Sequence, residues 1–396
     1  MTRPRLIIAP GKEKAILRHH PWIFSGAVSR VEGNPQEGDL VDVIDARGQW
    51  MAVGHYQPES IICKVLSFES ADINECFFRQ RLQSAIAYRE RLGFFNDRET
   101  NVFRLVHAEG DHFPGLVCDW YNGVLVMQAH SVGMYRLFPM LTQLFVELLE
   151  LYDIQSVFDK SSATVPGGTS DGYLWGNEPQ EWEIVESGNR LLINFFEGQK
   201  TGFFIDQREN RRLVQDLARG RHVLNCFGYT GGFSLAALRG GAEYVETIDI
   251  SKKAIELCNR NVSLNLGPDA PHKGTVADVL QYIQTIKKSD NQAFDFIILD
   301  PPAFAKNHRS LQQGLKGYRT INQRAMEALP SGGLLMTFSC SQAVSKEDFQ
   351  TMVFTAAMNA HRKVRVVRQL PHAMDHPVSI NHPEGEYLKG LLLEVE

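Results

Sequence analysis

A chain of 396 residues exceeds the usual span of one domain, so two or three domains are expected. With 43% hydrophobic and 22% charged residues the composition is ordinary for a globular protein, and the apolar runs are strand-length, which excludes a helical membrane span and a signal h-region. A formal net charge of −5 gives no bulk pull toward nucleic acid, although phosphate contacts need only a local basic face.

Residues 1–72 read as a small β-rich module. Its short segments are Leu6–Ile8, Asp39–Asp45, Trp50–Gly54 and Ile61–Leu66, with Asp45-Ala46-Arg47-Gly48 as a hairpin turn. His19-His20-Pro21-Trp22-Ile23-Phe24 sets aromatic residues beside a basic start (Arg3, Arg5, Lys12, Lys14, Arg18), the mixture an RNA-contacting surface uses; the alternative for Trp22 and Phe24 is core packing. Residues 73–197 read as a central α+β domain. A helix near Asn74–Leu92 leads into strands at Phe103–His107, Gly115–Asp119 and Val124–Ala129, then a helix near Met134–Tyr152 and a strand at Ser156–Asp159. A closing hairpin, Trp182–Glu186 and Arg190–Phe195, turns at Ser187-Gly188-Asn189.

Residues 198–396 read as a third domain, in which strands and helices alternate strictly from about 206 onward. Strands are expected at Val223–Cys226, Tyr244–Asp249, Gly274–Ala277, Phe294–Leu299, Gly333–Phe338, Val364–Leu370 and Tyr387–Val395. Helices are expected near Gln207–Ala218, Phe233–Arg239, Lys252–Leu266, Val279–Ile286, Gly314–Leu329 and Lys346–Asn359. That pattern predicts an α/β fold with a seven-stranded, doubly wound, Rossmann-like sheet. The run Arg208, Arg211, Arg212, Arg219 and Arg221 is a second basic stretch, read either as a phosphate-facing surface or as a solvated helix face.

The loop Asn225-Cys226-Phe227-Gly228-Tyr229-Thr230-Gly231-Gly232 joins the first of these strands to its helix. Its glycines allow a tight turn and close approach of backbone to a ligand, and its spacing departs from the dinucleotide G-x-G-x-x-G. Asp249 ends the next strand, where a carboxylate can accept from ribose hydroxyls. Asp278 follows the third strand, where it can meet an adenine amino group or cap a helix. A nucleoside site without a pyrophosphate signature points to S-adenosyl-L-methionine. Residues 198–396 resemble the class I S-adenosylmethionine-dependent methyltransferases. The segment Lys200-Thr201-Gly202-Phe203-Phe204-Ile205-Asp206-Gln207-Arg208 resembles the stretch that precedes this fold in a bacterial RNA methyltransferase family, where it lies over the methionine end of the cofactor. That resemblance implies Phe203, Asp206 and Gln207 as candidate cofactor contacts, with core packing the alternative for one of Phe203 and Phe204, beside the candidates Asn225, Phe227, Gly228, Thr230, Gly231, Asp249, Asp278 and Asp300.

Six cysteines (63, 76, 118, 226, 258, 340) contain no C-x-x-C pair, so neither a zinc knuckle nor a disulfide framework is expected, and reduced thiols in a cytoplasmic setting are the simplest reading. Cys340, in Thr337-Phe338-Ser339-Cys340-Ser341, is singled out. A lone buried cysteine is ordinarily inert packing, but this one follows a strand end and lies between two serines. Upstream, Ile297-Ile298-Leu299-Asp300-Pro301-Pro302 ends a strand in a carboxylate on a rigid turn. Carbon 5 of cytosine is a poor nucleophile until a thiolate adds at C6, and the reaction also needs a group that stabilises charge at N3. Cys340 as nucleophile and Asp300 as orienting acid match those needs, with Pro302 and Phe304 against a base that has left its helix. Cys226 has a similar position but is read as structural.

The Cys340 motif resembles RNA 5-methylcytosine methyltransferases, and the whole chain resembles the bacterial family of 23S ribosomal RNA cytosine-C5 methyltransferases with an N-terminal PUA domain. That family resemblance implies a PUA-like RNA-binding module over 1–72 and a single flipped-out cytosine of 23S ribosomal RNA as substrate. Where the best-studied 5-methylcytosine enzymes carry a second cysteine, this chain has Ala303, so the base that removes the C5 proton is unassigned. Two other readings stand beside this one: methylation of a guanine nitrogen with Cys340 incidental, and a non-catalytic RNA-binding ribosome-assembly factor. His372, His376 and His382 lie among prolines, which favours a loop over a metal site; no membrane partner is expected, and a homodimer is left open.

Overall fold

Period-2 alternation of apolar residues builds the first sheet. In the computed structural model, which describes residues 3–165, 167, 170–286, 294–305 and 307–396, the N-terminal strands are β1 (Arg5–Ile8), β2 (Trp22–Phe24), β3 (Val28–Glu32), β4 (Leu40–Ile44), β5 (Trp50–Tyr56) and β6 (Ile61–Ser67), with a one-turn helix α1 (Lys14–Leu17) after β1. They form a six-stranded sheet in the order β2-β6-β5-β4-β1-β3. Val41 and Val43 of β4 are fully buried while their neighbours are half-exposed, as alternation demands. The turn after β4 closes with the Gly48 N–H donating to Asp45 O at 3.1 Å, Gly48 taking φ +84°.

Helix α2 (Glu75–Arg91), capped by the Asn74 side chain, leads into β7 (Val102–His107), β8 (Leu116–Tyr121) and β9 (Val124–Ala129). The helix expected near 134–152 is broken into α3 (Val132–Tyr135) and α4 (Phe138–Leu148), followed by a short 3-10 turn. Ser131 caps α3 through the Met134 N–H, and Pro139 suits the first turn of a new helix rather than the interior of a long one. Strands β10 (Ser156–Asp159) and β11 (Gly172–Gly176) complete a five-stranded sheet, β11-β10-β9-β8-β7. A hairpin of β12 (Trp182–Glu186) and β13 (Asn189–Ile193) follows, its turn using positive φ at Ser187 (+50°) and Gly188 (+74°).

The remaining elements are α5 (Arg208–Leu217), β14 (His222–Cys226), α6 (Gly232–Arg239), β15 (Tyr244–Asp249), α7 (Lys252–Leu266), β16 (His272–Val276), α8 (Val279–Thr285), β17 (Phe296–Leu299), α9 (Leu311–Ala328), β18 (Gly333–Ser339), α10 (Lys346–Asn359), β19 (Val364–Leu370) and β20 (Lys389–Val395). The strands form one seven-stranded sheet, β16-β15-β14-β17-β18-β20-β19, parallel except for β20, which runs antiparallel to both neighbours. Strand order reverses between β14 and β17, which opens a crevice at the carboxyl ends of the strands. The expected doubly wound α/β architecture is the observed one. Apolar clusters cover both faces: Leu224, Ile297, Leu299, Ile321 and Leu335 on one, Val223, Phe296, Ile298, Met336 and Phe338 on the other.

Contacts divide the chain into two units. One comprises Met1–Ile184, Ile193–Ile205 and Met374–Gly385; the other comprises Val185–Leu192, Asp206–Ala373 and Glu386–Glu396. Among the described residues no helix is long and apolar enough to cross a membrane.

Candidate active site

The carboxyl ends of β14, β15, β17 and β18 hold most of the residues singled out from the sequence. After β14 the backbone is left-handed at Phe227 (φ +58°), Tyr229 (+46°) and Gly231 (+86°), so the chain doubles back within a few residues. Gly228 approaches β15 so closely that a Cβ there would lie 2.3 Å from Thr247 Cγ2, and its N–H donates to Ile248 O at 3.0 Å. Beneath the loop, Asn225 Nδ2 donates to Ser234 Oγ (2.8 Å), which meets Thr247 Oγ1 (2.6 Å), which meets His272 Nε2 (2.7 Å). Burial pushes the His272 imidazole down to about 4, so this network is neutral.

Asp249 holds the loop from the other side. Its Oδ2 accepts the Tyr229 N–H at 3.0 Å and its Oδ1 the Ser251 N–H at 2.8 Å. Each carboxylate oxygen retains a further lone pair for a ribose hydroxyl. Asp278 is the N-cap of α8, its Oδ1 accepting the Gln281 N–H at 2.9 Å. Two buried polar atoms in the loop, Asn225 Oδ1 and Thr230 Oγ1, have no hydrogen-bond partner among the described residues. Buried polar atoms are normally satisfied, and orphans on a glycine-rich loop fit a polar ligand. Asn225, Thr230 and Asp249 therefore suit an amino-acid nucleoside.

Asp300 emerges from β17 as a half-buried residue. Burial, helped by the neighbouring Asp206 carboxylate, pushes its carboxyl up to about 7; a hydrogen bond from Gln207 and the Arg211 charge oppose the rise. Gln207 is buried, with its Oε1 accepting from Asn210 Nδ2 at 2.6 Å, which turns its amide N–H groups toward Asp300. Asp206 accepts from the Tyr387 hydroxyl at 2.6 Å. Asp206, Gln207 and Asp300 are thus neighbours. A carboxyl poised near neutrality can hold a proton for a ring nitrogen.

Cys340 is the first residue beyond β18, and its thiol rests 3.9 Å from Pro301 O, one residue past Asp300. Tyr318, fully buried on α9, ties the two loops together. Its hydroxyl meets Ser341 Oγ at 2.9 Å and accepts the Phe304 N–H at 3.3 Å, and its ring lies 4.7 Å from that of Phe304. Phe304 also faces Phe227 at 6.3 Å, and Pro302 is exposed at the mouth. Sequence reasoning missed Tyr318: on an amphipathic helix it reads as core, and only its long-range hydroxyl partners reveal its role. Cys226 is fully buried with its thiol pushed upward by burial, in keeping with a structural residue.

A family described as S-adenosylmethionine-dependent methyltransferase matches residues 160–378, more than half of the chain. A ribosomal RNA large subunit methyltransferase I from Erwinia tasmaniensis is 38% identical over 401 residues, covering 99% of both chains. The chain belongs to that methyltransferase family. It is therefore an enzyme, and S-adenosylmethionine is its cofactor. A second member, from Tolumonas auensis, is 39% identical over 392 residues, covering 96% of this chain and 97% of its own. Residues 6–68 match a PUA-like domain. The fold is shared with a candidate SAM-dependent methyltransferase from Streptococcus mutans, 22% identical, with 100% of both chains covered and a TM-score of 0.86. A further structure, of a candidate methyltransferase complexed with SAH, covers 100% of both chains at 22% identity and a TM-score of 0.87.

The remaining residues singled out from the sequence of this methyltransferase have the following surroundings. Phe203 is buried in the first unit, its N–H donating to the Tyr121 hydroxyl at 3.2 Å. Arg208 and Arg211 do not form a phosphate-facing surface. Both are buried, and Arg211 makes a two-pronged pair with Glu186, Nε to Oε1 at 2.5 Å and Nη2 to Oε2 at 2.7 Å. Apolar neighbours on α5 turn these cations inward, leaving Arg212 and Arg219 exposed. In the PUA-like module Ile23 is core, Phe24 is exposed, and Trp22 is half-buried with its indole N–H donating to Glu109 at 2.7 Å. His372 stacks on Tyr387, and His376 pairs with Asp375. His20, His382 and Glu384 place potential ligand atoms within 4.8 Å of one another, a grouping that could hold a metal ion.

Proposed function

We propose that this enzyme methylates carbon 5 of one cytosine in 23S ribosomal RNA through a covalent bond between Cys340 and C6. The observation that carries the reading is the pairing of a thiol with a carboxyl poised near pH 7 at the ends of adjacent parallel strands, the thiol lying 3.9 Å from the carbonyl of the residue after that acid. Bound S-adenosylmethionine supplies an electrophilic methyl group. Cys340 adds to C6 as the thiolate, placing enamine density on C5. Asp300, protonated, donates to N3 and offsets the charge that develops there. Once C5 carries the methyl group, loss of its proton drives the Cys340 thiolate out and restores the aromatic ring. Phe304 and Pro302 line the place of the flipped base, and Tyr318 keeps Phe304 in register with the Cys340 loop.

Ribosomal RNA as substrate is supported by the names of the relatives and by the PUA-like match. The functional division 1–72, 73–197 and 198–396 assigns RNA binding to the first segment and chemistry to the last, in a cytoplasmic enzyme. The test is a 23S ribosomal RNA fragment containing 5-fluorocytosine, whose fluorine blocks release. Expected is an RNA–protein adduct mapped to Cys340 by mass spectrometry and absent in Cys340→Ala. Methylation of guanine by both parent and Cys340→Ala, with no adduct, would sink the cytosine reading and favour the guanine-nitrogen one.

A further inference from the structure

Lys389 opens β20, the antiparallel strand beside β18, and pairs in register with Ser339. Its residue is 5% exposed. Its ammonium donates to Ser341 O at 2.7 Å, so the side chain reaches along the strand end from the residue before Cys340 to the residue after it. That carbonyl takes one of three N–H donors. No carboxylate forms an ion pair with Lys389 among the described residues: the nearby Glu386 is paired instead with Lys346 at 2.5 Å. A buried cation without an anion is costly, and perturbed ionisable groups cluster at functional sites.

We propose that Lys389 is a positioning residue for Cys340, its ammonium supplying the counter-charge to the thiolate while its hydrogen bond fixes the Ser339–Ser341 turn. The inference rests on Cys340 being the nucleophile. The charged groups facing Lys389 agree with it. Burial pushes the amine down to about 8, a negative charge on Cys340 or Glu386 pushes it up, and Lys346 pushes it down. Ionising the thiol, whose proton leaves to solvent, thus holds the proton on Lys389, and removing the ammonium holds the proton on the thiol.

The test uses the full chain without RNA, so it fails or succeeds independently of the 5-fluorocytosine experiment. Iodoacetamide alkylation is followed from pH 6 to 10 by peptide mass spectrometry, with exposed Cys76 as reference in the same sample. Lys389→Met is expected to raise the Cys340 midpoint by about one pH unit and slow its alkylation relative to Cys76 about tenfold at pH 7. Lys389→Arg is expected to restore the parental midpoint, and S-adenosylmethionine calorimetry checks that both variants are folded. An unchanged Cys340 to Cys76 ratio in the Met variant, or an equal drop at every pH, overturns the proposal, the latter because it reports access rather than charge. Should Lys389→Met not fold, the parent decides: a Cys340 midpoint at or above that of Cys76 overturns it equally.

Discussion

Asp300 should make the folded enzyme less stable as pH rises, and Asp300→Asn should remove that loss. Its carboxyl moves from 3.8 in the unfolded chain to about 7 in the folded one, because burial and Asp206 disfavour its charge. The folded state therefore binds the proton more tightly. No penalty exists below the unfolded value, it grows as pH climbs from about 4 to about 7, and it is complete above that. At about 1.4 kcal/mol per tenfold, keeping Asp300 ionised at pH 8 costs on the order of 4 kcal/mol. Asparagine has the shape of the protonated acid and carries no charge, so the penalty vanishes. Any fixed cost of the substitution is the same at every pH and cancels when the variant's stability change is compared between two pH values. Between pH 5 and pH 8 the variant should gain about 2–3 kcal/mol on the parent, read from the denaturant midpoint of the transition that includes the seven-stranded sheet. Activity should move the other way, falling in the variant, with parental turnover declining above pH 7 as Asp300 loses its proton. Parallel stability curves for parent and variant would refute the claim that Asp300 is held near neutrality.

Gly228→Ala must push Thr247 away from a Cβ that would otherwise sit 2.3 Å from its methyl, so S-adenosylmethionine should bind about tenfold more weakly by calorimetry. Tyr318→Phe removes the hydroxyl between Ser341 and Phe304; it should cost about 1 kcal/mol in denaturant unfolding, slow adduct formation with 5-fluorocytosine RNA about tenfold or more, and leave cofactor affinity nearly unchanged. Arg211→Met strips Glu186 of its two-pronged partner and should destabilise the chain by about 3 kcal/mol, with a further rise of the Asp300 carboxyl since one opposing charge is gone.

The central strands of the seven-stranded sheet could be read from the chain because they are buried on both faces, unlike the edge strands β16 and β19. Phe296 to Leu299 is a continuous apolar run and Gly333 to Phe338 is broken only by Thr337, as strands covered on both faces require. Strand β11 escaped notice for the opposite reason: Gly172–Gly176 is short and mostly exposed, so no alternation marks it. The basic run on α5 misled in one respect. Charge is visible in a sequence, but the partner that neutralises it is not, and Glu186 lies 25 residues before Arg211.

The same asymmetry governs the site. Cys340, Asp300 and the glycine loop stand at strand ends, and that placement was legible from local pattern alone. Tyr318 and Lys389 make contacts 23 and 48 residues away in the chain, to Ser341 Oγ and Ser341 O. A tyrosine on an apolar helix face reads as core, which is correct for its ring and silent about its hydroxyl; a lysine at the start of a strand reads as a solvated end, whereas Lys389 is buried along its whole length. Both tips converge on Ser341. The surroundings of Cys340, the proposed nucleophile, are therefore built by groups whose local sequence carries no catalytic signature, since what the structure shows of them is long-range contact to the strand end. The two routes to Ser341 are separable: removal of the Tyr318 hydroxyl should loosen the loop without altering the thiol's titration, whereas removal of the Lys389 charge should alter both.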